Sequence, residues 1–371
     1  MRDVVEDVQR WLDSGEPHIV VATVIRTFSS APRGVGSKMA IRGDGTIAGS
    51  ISGGCVEAAV IEEGVRMAAH QPPRILHFDT ADEKAWDIGL PCGGSIDVLI
   101  EHLDHPHFRF LRDRLRENAQ AVAVTVIRGP GELLGEKIAF GRRGEPFGTA
   151  DSTLSERLIR AARPLTSSAT VDLGEGLEAF VDVMPPATTM VIVGGVHVGL
   201  ALARLARIVG YRTVVIDPRK TFGNAERFPD VDLLLQVWPD EAYRMIELTP
   251  ETAVAVLTHD SKLDDPALAG ALRSAAFYVG AMGSARSQEQ RRTRLQRLGL
   301  TQAEIARIHG PIGLDIAAAT PEEIGLSILS EVVALTRGAH SVLRTSNENV
   351  DKHDRHHDDP RPHGLLPAVD E

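Results

Sequence analysis

Two cysteines, each beside a pair of glycines, are the residues of this sequence best suited to chemistry. They lie in Gly53-Gly54-Cys55 and in Cys92-Gly93-Gly94, and the chain of 371 residues has no other cysteine. Paired glycines let the backbone turn sharply and point successive amides at an anion. A thiolate is a nucleophile and a ligand for soft metals. The shared context suggests that the two loops share a role.

The residues after Cys55 predict a helix, because apolar residues recur near helical spacing from Val56 to Met67. Ser52 is the predicted N-cap, which would place Cys55 in the first turn. Free amides and the positive end of the helix dipole would favour a thiolate there. The alternative is a buried thiol that packs as a small hydrophobe beside a tight turn.

The composition is that of a soluble protein, with 43% hydrophobic and 25% charged residues, and the length suggests two or three domains. A net charge of -11 argues against nucleic acid as the main partner. Because no apolar run approaches the roughly 18 residues that span a bilayer, we expect no membrane segment. The acidic N-terminus is unlike a signal peptide, so we expect a cytoplasmic protein with reduced thiols.

The first half contains a degenerate repeat, which predicts one α+β domain of two related lobes over residues 1–185. In the second lobe, Ala150-Asp151-Ser152-Thr153 stands in place of the Ser-Gly-Gly-Cys turn and only starts a helix. This difference favours a functional role for the cysteine loops, although the second lobe could instead have rebuilt its core without them. The matching segments are 20–26 with 121–128, 37–45 with 136–144, and 93–102 with 174–183.

Arg33 precedes the glycine-rich segment Gly34-Val35-Gly36. A guanidinium on such a loop suits phosphate, because its fork can bind two oxygens, but a solvated arginine would also fit. Asp87 stands before the Cys92 loop and could either orient that loop or simply cap it.

The second half, residues 186–338, predicts a Rossmann-like domain with a parallel sheet. A strand, a glycine turn, a helix and a second strand that ends in Asp217 follow in the order of a dinucleotide-binding unit. The residues of this unit that would bind a ligand are Gly194, Gly195, Gly199 and Asp217.

Val196 stands where the dinucleotide motif has its middle glycine. A β-branched side chain there should obstruct a pyrophosphate, which argues against NAD or FAD as a functional cofactor. The helix N-terminus could still hold a smaller anion.

The loops after two later strands add candidate residues, because such loops line the ligand crevice of a parallel sheet. We select His259 and Asp260, which would be the catalytic residues if the protein were an enzyme, together with Arg286. The alternative is that Asp260 caps a turn and Arg286 starts a helix. The segment from His309 to Ile316 is expected to close one edge of the crevice.

Helical periodicity stops after Gly338, and residues 339–371 predict a disordered tail rich in His, Asp and Pro. A solvated tail is favoured over metal binding by its histidines His353, His356, His357 and His363.

Taken together, these motifs resemble the XdhC/CoxI family, the accessory factors of xanthine dehydrogenase and related molybdenum hydroxylases. They lie in the family's order over residues 12–338, although this chain has Gly-Gly-Val-His-Val-Gly where the family typically has Gly-Ala-Gly-His-Val-Gly. The motifs are Ser30-Ala31-Pro32-Arg33, Gly49 to Glu57, Gly89 to Gly94, Thr258-His259-Asp260, Gly280 to Ser284 and Pro311 to Ile316.

The resemblance implies a chaperone, more than an enzyme with turnover. Such a protein binds the molybdenum cofactor (molybdopterin), protects it during sulfuration and delivers it to an apo-hydroxylase. In this interpretation Arg33 and the glycine amides hold the phosphate, and Cys55 and Cys92 contact molybdenum or sulfur. We expect the cysteine loops to face the crevice of the Rossmann-like half. A cysteine desulfurase-type sulfur donor and a homodimer are compatible with this role.

Two other functions compete with the chaperone. The first is an NAD(P)- or FAD-dependent oxidoreductase, which would co-purify with flavin or lose activity when Asp217 is replaced. The second is a docking protein that binds a hydroxylase without any small ligand.

Overall fold

The structure is a computed structural model that describes residues 1–28, 33–54, 56–67, 71–79, 94–141 and 146–339. The chain divides into two compact units, Met1–Pro186 and Ala187–Glu371. Within the described ranges, no helix is long and apolar enough to cross a membrane. Several residues singled out above lie outside those ranges: Ser30, Ala31, Pro32, Cys55, Asp87, Cys92, Gly93 and the tail from position 340.

The first lobe of the first unit is a five-stranded antiparallel sheet in the order β3-β2-β1-β5-β4. One face of this sheet packs under helix α2 through Val24, Ile41, Val60 and Ile100, all of which are buried. The elements are α1 (Val5–Asp13), β1 (Ile19–Phe28), β2 (Lys38–Arg42), β3 (Ile47–Gly49), α2 (Glu57–Arg66), β4 (Arg74–Phe78) and β5 (Ser95–His102).

The second lobe repeats this topology, which confirms the predicted internal repeat. Its sheet has the order β8-β7-β6-β10-β9, and helix α4 covers it as α2 covers the first sheet. The elements are α3 (His105–Arg116), β6 (Ala121–Arg128), β7 (Lys137–Gly141), β8 (Phe147–Gly148), α4 (Ser152–Ala162), β9 (Ala169–Asp172) and β10 (Glu178–Met184).

Equivalent residues of the two lobes pack against each other. Ile25 and Leu99 from the first sheet form one buried cluster with Ile127 and Phe180 from the second. In the strand registers Leu99 pairs with Thr23, as Phe180 pairs with Thr125. The cluster therefore joins the lobes about a pseudo-twofold axis.

Two buried ion pairs follow the same symmetry. Lys38 Nζ lies 2.9 Å from Asp182 Oδ2, and Lys137 Nζ lies 2.7 Å from Glu101 Oε2, so each lysine crosses to the other lobe. Both pairs border a small cavity of about 50 Å³. Nδ1 of the buried His107 also lies there and has no hydrogen-bond partner within the described residues.

The second unit is a six-stranded parallel sheet in the order β13-β12-β11-β14-β15-β16, which confirms the Rossmann-like prediction. Its strands are β11 (Thr189–Val193), β12 (Arg212–Ile216), β13 (Leu233–Leu235), β14 (Thr252–Val256), β15 (Tyr278–Ala281) and β16 (Ile308–His309). Its helices are α5 (His197–Ile208), α6 (Pro239–Met245), α7 (Ser261–Leu272), α8 (Ala285–Arg297), α9 (Gln302–Ile305) and α10 (Pro321–Thr336).

Helices cover both faces of this parallel sheet, as its apolar strands require. Val191, Val254 and Ala267 belong to the core on the side of α7, whereas Ile192 and Leu202 belong to the core on the side of α5 and α10. The strand order reverses between β11 and β14. In folds of this type the ligand crevice lies at that point, beyond the carboxyl ends of the strands.

Candidate functional site

The loop before α2 is held by the side chain of Glu57, the first residue of that helix. The Glu57 carboxylate accepts hydrogen bonds from the amides of Ser52 (2.9 Å) and Gly54 (2.7 Å) and from the hydroxyl of Ser50 (3.0 Å). The hydroxyl of Ser52 also donates to it. One carboxylate therefore fixes the backbone on which the Gly53-Gly54 pair lies.

The prediction that Ser52 caps the helix is wrong. The helix begins at Glu57, its N-cap residue is Val56, and no side chain makes a capping hydrogen bond. Ser52 instead donates its hydroxyl and its amide to Glu57. The helix therefore begins two residues after Cys55 in the sequence, and Cys55 itself lies outside the described residues.

Glu57 is ionised in this setting. Burial alone would raise its pKa, but the hydrogen bonds from Ser52, Ser50 and Gly54 lower the pKa of Glu57 below its usual value. Gly54 has a φ of +103°, a conformation that favours glycine, and no described atom beyond its chain neighbours lies within 4 Å of the position that a Cβ would take there. Gly53 and Gly54 are both exposed among the residues that the structure describes.

The second lobe confirms that residues 150–153 only start a helix. Asp151 accepts a hydrogen bond from the amide of Leu154 (2.8 Å) and is an ordinary N-cap of α4. The first lobe has the loop of residues 50–56 at the corresponding point. Sequence reasoning quoted Glu57 within the motif but gave it no role. Its signal was a carboxylate just after a turn with several free donors.

The two other described candidates of the first unit are Arg33 and Gly94. Nη2 of Arg33 lies 2.7 Å from the carboxylate of Asp3, and its buried Nε has no partner among the described residues. Gly94 is buried and leads into β5. Arg33 therefore has one nitrogen paired and another without a hydrogen bond.

Gly194 lies at the point where the strand order of the second unit reverses. It has a φ of +111°, and a Cβ there would come within 2.5 Å of Cγ2 of Thr258. The loops after β11 and β14 therefore touch at Gly194, and larger residues would force them apart.

Asp217 is fully buried, and nearby residues of the chain hydrogen-bond to its carboxylate. Its carboxylate accepts hydrogen bonds from the amide of Gly195 (2.8 Å) and from Nε (2.9 Å) and Nη2 (2.7 Å) of Arg219. Burial would raise its pKa, but the hydrogen bonds from Arg219 and Gly195 lower the pKa of Asp217. A Cβ on Gly195 would lie 2.5 Å from the carbonyl oxygen of Phe222. The loop after β12 therefore lies against the glycine turn.

The remaining predicted residues lie at the same edge of the sheet, with modest local roles. Asp260 caps α7 by accepting a hydrogen bond from the amide of Lys262 (2.9 Å), and the exposed Arg286 lies in the first turn of α8, which Ser284 caps. His259 is exposed. His259 and Arg286 make no side-chain hydrogen bond or ion pair within the described part of the chain, so both are free to meet a ligand.

A buried polar network behind these loops was missed by sequence reasoning. Asp264 accepts a hydrogen bond from the hydroxyl of Thr258 (2.5 Å) and pairs with Arg291 (3.2 Å), which also donates to the carbonyl of Met282 (2.8 Å). Burial raises the pKa of Asp264. The network joins the loops after β14 and β15. Arg291 gave no signal because α8 contains several arginines and few apolar residues, so its sequence does not show which arginine is buried.

The segment from His309 to Ile316 is held by a second buried carboxylate. Glu331 accepts hydrogen bonds from the hydroxyl of Tyr278 (2.6 Å) and the amide of Gly313 (2.8 Å), and His309 Nδ1 lies 2.9 Å away. Because this segment follows β16, it lies at the edge strand of the sheet. No group of three or more potential metal ligands occurs among the residues that the structure describes.

Comparisons with known proteins agree with this architecture. The model of the XdhC and CoxI family matches residues 11–79, and that of the XdhC Rossmann domain matches residues 190–332. The chain is 25% identical over 320 residues to a probable subunit of xanthine dehydrogenase from Bacillus subtilis. That match covers 85% of this chain and 92% of the Bacillus subtilis protein.

It is also 27% identical over 317 residues to the molybdenum cofactor insertion chaperone PaoD of Escherichia coli, covering 85% of this chain and 83% of PaoD. A crystal structure described as a xanthine dehydrogenase from Bacillus halodurans superposes with a TM-score of 0.75 at 26% identity. That match covers 90% of this chain and 96% of the other. The chain belongs to the XdhC/CoxI family.

Proposed function

We propose that this protein is an accessory factor that binds the molybdenum cofactor, protects it during sulfuration and delivers it to a xanthine dehydrogenase-type hydroxylase. The observation that carries the proposal is the match over most of both chains to PaoD, a molybdenum cofactor insertion chaperone. The relative named for xanthine dehydrogenase supports a target of that class.

The first unit supports this role through the loop that Glu57 holds. Gly53 and Gly54 are exposed among the described residues, and the loop is built differently from its counterpart in the second lobe. In the proposal, Cys55 and Cys92 contact molybdenum or the sulfur that is installed, because thiolates suit soft partners. The unpaired Nε of Arg33 is suited to a phosphate oxygen of the cofactor.

The second unit gives less support to an oxidoreductase. The carboxylate that would bind a ribose is already bonded to Arg219, and the carbonyl of Phe222 lies against Gly195. Both contacts compete with a dinucleotide in the standard position, in addition to the side chain of Val196. In the proposal, Gly194, His259 and Arg286 contact the cargo from the carboxyl edge of the sheet. A cytoplasmic location and a cysteine desulfurase-type sulfur donor are parts of the same proposal.

The test is to identify the small molecule that the protein carries. The wild-type chain is purified from cells that make the cofactor, and the released ligand is scanned by absorbance and fluorescence. A pterin spectrum is the expected result. A flavin spectrum would favour the oxidoreductase, and an empty protein would favour the docking protein.

Two paired variants test the cysteine mechanism. Cys55→Ala combined with Cys92→Ala should reduce the bound pterin at least tenfold. The control, Ser152→Ala combined with Thr153→Ala, changes the corresponding helix start of the second lobe and should leave binding unchanged. Undiminished pterin in the double cysteine variant would remove the thiols from the proposal while leaving the cargo in place.

A further inference from the structure

A groove on the second unit, away from the carboxyl edge of the sheet, has no role in the proposed function. It lies between α5 and the segment 227–231 and has a volume of about 360 Å³. Such a volume is enough for a short peptide segment. Its α5 side is a helical stripe with i, i+3, i+4, i+7 and i+8 spacing, formed by Leu200, Ala203, Arg204, Arg207 and Ile208.

The groove has an apolar base and an unusually exposed apolar rim. Phe228 at its base is 3% exposed, whereas Ile208 is 79% exposed. A helix in a globular protein normally turns such residues towards its core. Ile208 is therefore placed to contact something that the described residues do not supply.

The charge of the groove selects an acidic occupant. Among the described residues, three arginines line it, Arg204, Arg207 and Arg227, and one carboxylate, that of Asp230. Asp230 pairs with Arg207 at 3.5 Å. Arg204 is exposed and makes no ion pair within the described part of the chain. An apolar segment that carries acidic residues would complement both features.

The chain itself contains such a segment. Leu365-Leu366-Pro367-Ala368-Val369 is followed directly by Asp370-Glu371. The 25 residues before it, 340–364, contain only three aliphatic residues, so the run stands out in the tail. The apolar side chains of this segment match the apolar base of the groove, and its acidic residues match the arginines.

The tail also starts close enough to reach the groove. Helix α10 packs against α5, and the hydroxyl of Tyr211, just after α5, lies 3.5 Å from that of Thr336. The chain takes 26 residue steps from Ala339 to Leu365, which can extend up to about 90 Å. A tether of this length gives an effective concentration near the millimolar range.

From these observations we infer that residues 365–371 of this chain bind its own groove between α5 and residues 227–231. Leu365, Leu366 and Val369 contact the apolar base and Ile208, and Asp370 and Glu371 lie against Arg204 and Arg207. Because the interaction is tethered, even a peptide affinity in the tens of micromolar would keep the groove mostly filled.

The test uses the full chain and a fluorescein-labelled peptide of sequence Gly364–Glu371, followed by fluorescence anisotropy. A chain with Leu365→Asp and Leu366→Asp has an emptied groove and should bind the peptide at least tenfold more tightly than the wild type. Adding Ile208→Asp should remove this binding. Val209→Asp, at an exposed neighbouring residue outside the groove, is the matched control and should keep it.

Three outcomes would overturn the inference. One is equal peptide binding by the wild type and the tail variant, and another is unchanged binding after Ile208→Asp. The third is a wild-type dimer, seen by sedimentation, that becomes a monomer in the tail variant, because the occupant would then be the tail of a second copy.

Discussion

A single carboxylate, that of Glu57, organises the most distinctive loop of the first unit. From the first residue of the helix, it accepts hydrogen bonds from two amides and two hydroxyls of the preceding loop. An acidic side chain in the first turn also interacts favourably with the helix dipole. The loop therefore depends on the charge of Glu57 as well as on its shape.

Glu57→Gln should lower the free energy of unfolding by about 2–3 kcal/mol, because charge-assisted hydrogen bonds are lost. The NH₂ group of the glutamine would also face the amides and hydroxyls that donate to Glu57. Urea unfolding at pH 7 measures this change. Glu62→Gln is the control on the same helix, because Glu62 is exposed and forms an exposed ion pair with Arg66, four residues on.

The difference between wild type and Glu57→Gln should depend on pH. The folded protein lowers the pKa of Glu57 below its usual value of 4.5, so the stabilisation is complete above that pH. It should decrease as the pH falls through the folded pKa. A difference that stays constant from pH 7 to pH 3 would contradict the role of the charge.

The glycine turn after β11 is closed by a neighbouring element and not only by the side chain of Val196. The loop after β12 brings Phe222 against Gly195 and Arg219 onto Asp217. The sequence motif points to Val196 alone, because contacts between loops that are distant in the sequence leave no local pattern.

Val196→Gly restores the glycine that the dinucleotide motif requires, yet it should not create NAD binding. Isothermal titration with NAD should show no heat of binding for the wild type or the variant, since the Phe222 and Arg219 contacts remain. Binding by Val196→Gly at submillimolar affinity would show that Val196 was the sole obstacle.

Glu331 joins α10 to the segment after β16, so it determines how firmly that segment is held. Burial would raise its pKa, but hydrogen bonds from His309, Tyr278 and Gly313 lower the pKa of Glu331. Glu331→Gln should lower the free energy of unfolding by about 2 kcal/mol and speed amide exchange around Gly313. Glu322→Gln, exposed in the first turn of α10, is the control. Unchanged exchange at Gly313 would contradict this role.

The elements themselves were largely predictable, and the contacts between them were not. Helical spacing of apolar residues indicated the helix after Cys55, and the degenerate repeat indicated that the first unit has two related lobes. The order of glycine turn and acidic strand end indicated the Rossmann-like sheet. The Glu57 loop and the Asp264–Arg291 pair were missed, because each depends on which side chain a buried donor meets in the folded chain.

At the scale of the whole first unit, each lobe contributes a buried lysine that pairs with a carboxylate of the other lobe. Lys38 and Asp182 are each less than 10% exposed, and Lys38 also donates to Thr23. Breaking a buried pair leaves an unpaired charge, which destabilises more than removing both partners does. Burial would raise the pKa of Asp182, but Lys38 lowers it, so the Asp182 carboxyl is ionised.

Lys38→Met should lower the free energy of unfolding of the chain by about 3–5 kcal/mol, because the buried, charged Asp182 loses its lysine and the hydrogen bond from Ser168 (3.0 Å) does not neutralise it. Adding Asp182→Leu should recover most of that loss. A double-mutant cycle measured by urea unfolding gives the coupling energy. Additive losses would show that the two side chains do not act as a pair.

The duplicated architecture of the first unit gives the protein an internal reference. Gly49 and Gly148 show it: a Cβ at either would collide with the backbone of the neighbouring strand, at Lys38 and Lys137 respectively. A constraint present in both lobes is required by their shared fold. A feature present in only one lobe is not required by the shared fold, so we expect it to serve function. Replacing the loop before α2 with the helix start at Asp151 would thus separate the residues needed for folding from those needed for function within one molecule.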